Sequence, residues 1–150
     1  MDLIQVNLAR VQEKISAAAI RSGRRPEDIC LIAVTKTIGA DNIRRAIDAG
    51  AGHIGESRVQ EATDKAEHLS CPVTWHMIGH LQRNKAKQAI ELFDLIHSVD
   101  SLRLAQTIHQ RAEEIRRPVD CLVQVNIANE AGKHGLDPQE VVRFLKQLSS

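Results

Sequence analysis

Short apolar runs recur along this chain at roughly twenty-residue intervals with helical patterns between them, and that alternation constrains the fold more than any other feature. The runs centre on Leu31, Ile54, Trp75, Ile96 and Val123. Each is too short for a buried helix and reads as a strand. Strands alternating with helices form a parallel sheet joined by right-handed crossovers. The helix punctuation agrees. Ile4, Leu8, Val11, Ile15 and Ala19 recur at helical spacing ahead of the first run. Asp41 can cap a helix that carries Ile43, Ala46 and Ile47 and stops near Gly50. Arg58 to Leu69 and Lys85 to Phe93 continue the alternation. Ser101 offers a cap for a helix with Leu102, Leu104, Ile108, Ala112 and Ile115 facing inward, ended by Arg116-Arg117-Pro118. Pro138 opens a final helix running to Ser150.

Two α/β architectures satisfy this pattern: an open doubly wound sheet of about five strands, and a (β/α)8 barrel. The strand count favours the open sheet. The polar residues favour the barrel, because they cluster after nearly every strand instead of gathering at one switch point, and no glycine-rich phosphate fingerprint follows any strand. A full barrel takes about 250 residues, so the barrel reading makes these 150 residues a piece of a longer protein.

Composition narrows the partners. Residues 1–150, 43% of them hydrophobic, suffice for one domain with a real core. Lys and Arg number 20 against 19 Asp and Glu, with no basic stripe or acidic tail, so nothing calls for nucleic acid or an anionic membrane. With no tyrosine, two phenylalanines and Trp75 alone, the core must be aliphatic and base-stacking platforms are few. Cys30, Cys71 and Cys121 are odd in number and show no close CxxC spacing, which argues against a disulfide framework and a structural zinc site. A reducing cytoplasm fits best. The N-terminal segment lacks a long apolar stretch and reads as a soluble amphipathic helix.

Lys36 is the leading candidate for chemistry. It follows the run Cys30-Leu31-Ile32-Ala33-Val34, at the carboxyl end of the first strand, where α/β proteins keep their reactive groups. An amine there can form an imine if partial burial lowers its pKa. After the second strand, Gly55 permits close backbone approach and Ser57 can cap the next helix. His76 and His80 have the separation of a zinc pair, but that pairing needs a helix; alternation makes His76 an interior histidine and leaves His80 in a loop as the better site residue. Leu81-Gln82-Arg83-Asn84-Lys85 enters a helix and is either an anion site or a solvated basic turn. Asp100 accepts from neighbouring loops or caps a helix. Gln124 and Asn126 share a face of a fifth strand, Leu122 to Ile127, and mark a polar interior or a binding wall. Beyond them, Asn129 to Gly135 is a flexible loop carrying a second lysine, Lys133.

In order along the chain, Ala33-Val34-Thr35-Lys36-Thr37, Gly55-Glu56-Ser57-Arg58-Val59-Gln60-Glu61, Trp75 through Lys85, His97-Ser98-Val99-Asp100 and Val123-Gln124-Val125-Asn126-Ile127 through Leu136 closely resemble the pyridoxal 5′-phosphate (PLP) homeostasis proteins. The resemblance implies a TIM-type (β/α)8 barrel similar to the N-terminal domain of alanine racemase, of which this chain holds about the first five strands behind an extra N-terminal helix. It implies PLP held as an aldimine on Lys36, with cofactor contacts from Val34, Ser57, Met77, His80 and Lys133, no metal and no catalytic residue. Lys133 is implied to assist cofactor exchange. The implied role is cytoplasmic, in vitamin B6 and amino-acid homeostasis, with PLP-accepting apoenzymes as recipients and a monomer or weak dimer as the full-length form. The alternative is a PLP-dependent amino-acid racemase, which commonly uses a tyrosine; none is present, and His80 would have to replace it. A lysine aldolase without cofactor is a third reading. The chain departs from the family at Thr37-Ile38-Gly39, where Thr-Lys-Pro is usual, and at Ser57, where asparagine is usual. The family's phosphate loops fall in later strands, outside this sequence.

Overall fold

The computed structural model describes residues 2–130 and 132–149. Five parallel strands lie in sequence order, β1 (Ala33–Val34), β2 (His53–Glu56), β3 (Thr74–Met77), β4 (Leu95–Val99) and β5 (Asp120–Val123). The connecting helices are α2 (Ala40–Asp48), α3 (Val59–Ala66), α4 (Ala86–Leu92) and α5 (Leu102–Ile115); α1 (Leu3–Arg21) precedes the sheet and α6 (Val141–Leu148) follows it. Strand order that tracks chain order, with one helix per crossover, is the arrangement of a partial (β/α) barrel and removes the doubly wound alternative. Among the described residues no helix is long and apolar enough to cross a membrane.

The strands are shorter than the apolar runs suggested. β1 is only Ala33–Val34, paired with β2 alone, so Leu31, the centre expected for the first strand, lies ahead of it. The fifth run pairs as Asp120–Val123 and then bends away, so that Val125 bridges Leu136 instead of extending the sheet toward Ile127.

Register sorts the two faces. Ile54 aligns with Trp75, and Met77 with Ile96. These side chains enter one buried cluster with Ile43 of α2, Ala62 of α3, Ile90 of α4 and Leu104 of α5. Trp75 meets Phe93 edge to face at 6.4 Å between ring centroids. Val34, Gly55 and His76 align on the opposite, inner face.

The caps follow the sequence in part. The Ser101 hydroxyl accepts from the Leu104 amide, and Arg116, in the left-handed region at φ 53°, ends α5 ahead of Pro118. Asp41 does not cap α2: Gly39 is the cap and Asp41 sits inside the first turn, where its charge favours the helix dipole. Ser57 does not cap α3 either, since the helix starts one residue later behind Arg58, whose side chain makes no cap bond. Pro138 opens a short 3-10 turn capped by Asp137, and α6 begins only at Val141. Ser150, the expected end of α6, and Ala131 in the Lys133 loop lie outside the described residues.

Candidate functional site

Lys36 lies in the turn after β1, with buried Thr35 before it and Thr37 after it. Thr37 has φ 65°, a conformation that a β-branched residue rarely adopts, so something must hold it. The Glu61 carboxylate does so, accepting the Thr37 amide at 2.6 Å. On the other side of Lys36, the Thr35 hydroxyl donates to Glu56 Oε1 at 2.5 Å. Lys65 joins the two halves: its ammonium donates to Thr35 O at 2.8 Å, Glu56 Oε1 at 2.7 Å and Glu61 Oε1 at 2.7 Å. Glu56 is fully buried and Lys65 nearly so. The turn that presents Lys36 is thus tied from both flanks to one buried ammonium.

Burial opposes the charge on Lys65, yet the hydrogen bonds it donates to Glu56 and Glu61 win and raise its pKa. The Lys65 hydrogen bond, then the Thr37 amide, lowers the pKa of Glu61. A carboxylate with a depressed folded pKa stabilises the fold above its unfolded value, about 4.5, and that contribution fades as pH falls through the folded value. Lys65 acts in the opposite sense, its contribution being present below about 10.5 and fading as pH rises through the raised value. Comparing urea midpoints of the native chain and Glu61→Gln, we expect a gap at pH 6 that narrows below about pH 4.5, by at most about 1.4 kcal/mol per pH unit. A gap of constant size down to pH 3.5 would remove Glu61 from this role.

Lys36 itself is exposed. The partial burial expected of it is absent because β1 is an edge strand and nothing among the described residues covers its flank. Val34, two residues earlier, faces inward and is 53% exposed. Ser57, Met77 and His80 come together in a cleft of about 450 Å³ at the carboxyl ends of β2 and β3, with Gly79 and Lys85 also in its wall. Met77 enters from below, buried in the helix-side core. Gly79 is required there, because a Cβ at that position would lie 2.2 Å from Ser57 O. Lys36, Val34 and Lys133 do not line this cleft. A larger, mostly apolar groove of about 650 Å³ between α5, β5 and α6 contains none of the predicted site residues.

Lys133 lies exposed in the loop after β5. The ring of its neighbour His134 stacks on His80 at 3.6 Å between centroids, with 9° between planes. Both Nδ1 atoms approach Asp100 Oδ2, at 3.5 Å from His80 and 3.9 Å from His134. Asp100 therefore serves the loops, and Ser101 takes the cap. Gln124 and Asn126 hold the same loop: their amides donate to His134 O and Glu130 O. They are loop anchors, which explains polar side chains at the end of a strand.

Sequence reasoning missed the Lys65 cluster and a second set of groups on the inner face. His53 Nδ1 lies 3.0 Å from His76 Nε2, and His76 Nδ1 lies 2.9 Å from His97 Nε2, a chain of three imidazoles across β2, β3 and β4. Burial lowers the pKa of His76 and His97, and the neighbouring imidazoles lower that of His76 further. Glu61 and Lys65, four residues apart, were readable as a helical ion pair, and His76 as an interior histidine.

Comparison with known proteins agrees with this geometry. The sequence profile of the alanine racemase N-terminal domain matches residues 6–150. The pyridoxal phosphate homeostasis protein of Escherichia coli (strain K12) is 43% identical over 145 residues, covering 94% of this chain and 62% of that protein. The chain thus spans less than two thirds of that relative's length. PipY of Synechococcus elongatus PCC7942, solved with PLP bound, superposes with a TM-score of 0.77 at 42% identity, over 90% of this chain and 63% of PipY. An unknown protein from Bifidobacterium adolescentis gives a TM-score of 0.89 at 36% identity, over 98% of this chain and 64% of its own. A profile match across nearly every residue, together with a parallel sheet whose strands run in chain order, means that the chain belongs to the alanine racemase N-terminal domain family.

Proposed function

We propose that this chain is the PLP-binding part of a cytoplasmic protein of vitamin B6 and amino-acid homeostasis, with Lys36 as covalent anchor and Lys133 as the amine that assists exchange with PLP-accepting apoenzymes. The observation that carries this reading is the fixed turn: the buried Lys65 cluster holds the residues on both sides of Lys36 and so presents one primary amine at the strand ends. The relative solved with PLP bound, and the curated relatives named for PLP homeostasis, support it.

The donor set fits such a ligand. PLP, when bound, supplies an aldehyde carbon open to a lysine amine and a ring that needs an apolar platform. Lys36 offers the amine, exposed Val34 an apolar surface on the same strand, and Ser57 and His80 polar groups at the neighbouring strand ends. Binding without turnover is the reading favoured by the names of the relatives.

The test is visible absorption of the 150-residue chain with added PLP, before and after borohydride, with the labelled residue located by mass spectrometry. We expect the Lys36→Ala variant to lose the absorption band and the label, and Lys133→Ala to keep both while slowing release to an acceptor apoenzyme. Equal bands in native chain and Lys36→Ala would end the reading. Rapid α-proton exchange on L-alanine in deuterated solvent would replace it with racemase chemistry.

A further inference from the structure

The amino-terminal half of the sheet's inner face carries ligand-type side chains that the PLP reading leaves unused. Cys30 stands just ahead of β1, His53 opens β2, and His76 lies within β3. One donor atom from each lies within 4.8 Å of the other two. We propose that Cys30, His53 and His76 form a zinc site that pins the edge strand β1 to β2 and β3. The site is separate from Lys36, which follows the carboxyl end of β1.

The geometry is close to what the ion needs. Two nitrogens bound to a tetrahedral zinc at 2.0–2.1 Å lie about 3.3 Å apart. His53 Nδ1 and His76 Nε2 are 3.0 Å apart, their ring planes inclined by 54°, so a small opening admits the metal. Cys30 is exposed and free, with its sulfur within 4.8 Å of both nitrogens, and binding requires its side chain to turn closer. A cleft lined by Gln12, Ile15, Cys30, Gly52 and His53 gives access from solvent. Behind the site, His76 Nδ1 lies 2.9 Å from His97 Nε2, and the tautomer in which Nδ1–H donates across that contact leaves the His76 Nε2 lone pair for the metal.

Thiolate with imidazole selects zinc over magnesium or calcium, which want oxygen ligands. On binding, the Cys30 thiol gives its proton to solvent as the S–Zn bond forms. The proton on His53 Nδ1 gives way to the metal and the ring carries one on Nε2 instead, so it stays neutral. Water fills the fourth position. One proton is released per ion. The other candidate cluster, His80, Asp100 and His134, is poorer, because its imidazoles lie face to face at 9° and their in-plane lone pairs run parallel instead of converging.

The test titrates the PLP-free chain with Co²⁺ and then Zn²⁺. We expect one equivalent of Co²⁺ with near-ultraviolet thiolate-to-metal absorption, its displacement by Zn²⁺, and a Tm that rises with zinc concentration. Cys30→Ser, at an exposed position, should fold, lose that absorption and bind zinc at least about tenfold more weakly. A Cys71→Ser/Cys121→Ser double variant should behave as the native chain. His97→Gln should keep the absorption while affinity falls about 10–100-fold, which separates a positioning role from a purely structural one. The proposal is overturned if the absorption survives in Cys30→Ser, if zinc leaves only on His80→Ala, or if no metal binds at stoichiometric concentration.

Discussion

Lys65→Met is expected to destabilise the chain by about 3–5 kcal/mol, the cost of leaving a buried charge without its partner. Glu56 is the group left behind. It is fully buried, its Oε1 receives Lys65 and Thr35, and its Oε2 has no hydrogen-bond partner among the described residues, so none of them offers a spare donor to replace the ammonium. The same change removes the Lys65 bond from Thr35 O, which keeps only the Ile38 amide, and from Glu61, which keeps only the Thr37 amide, and so weakens both flanks of Lys36. Two readouts should move together: the urea midpoint at constant slope, and retention of PLP through dialysis. Lys65→Met/Glu56→Gln should recover much of the stability, because it removes the stranded charge, yet retention should stay poor, because the turn still lacks its tie. A loss under about 1 kcal/mol in the single variant would mean that water reaches Glu56 and compensates it.

Gly79→Ala should be as damaging by a different route. Its Cβ would sit 2.2 Å from Ser57 O and 2.7 Å from Ser57 Cα, and these are backbone atoms that cannot rotate aside. The loops after β2 and β3 must separate, so the cost should reach or pass the upper end of the range of about 1–3 kcal/mol for overpacking. The cleft lined by Ser57 and His80 should widen with it. Gly52→Ala is the control: nothing lies within 4 Å of its Cβ, and the change should stay within about 0.5 kcal/mol. Equal midpoints for the two variants would show that the β2 and β3 loops slide apart freely.

The sheet and its helices were legible because they depend on period and punctuation, which are local. Ile54, Trp75 and Ile96 lie in strands where the runs placed them, and Ser101 caps α5 as its sequence position implies. What stayed hidden depends on tertiary neighbours. Thr37 gives no local sign of a left-handed backbone, since β-branched residues avoid it; the Ile38 amide on Thr35 O closes the turn and Glu61, from distant α3, accepts the Thr37 amide. Asp41 and Ser57 both looked like caps, but α2 is capped two residues earlier, at Gly39, and α3 one residue later, at Arg58, which removes the amides they would have met. Lys36 looked partly buried because its strand is apolar. Whether an amine is covered depends on strands beside it, and β1 has only one.

The flat contact between His134 and His80 works as a latch on the strip of chain that bears Lys133. An aromatic pair contributes about 1 kcal/mol, so on its own such a latch lies open in roughly one molecule in six at room temperature. The amide ties from Gln124 to His134 O and from Asn126 to Glu130 O lower that fraction. Asp100, its side chain 13% exposed, lies beside that contact, so the carboxylate is screened from solvent by the same pair of rings.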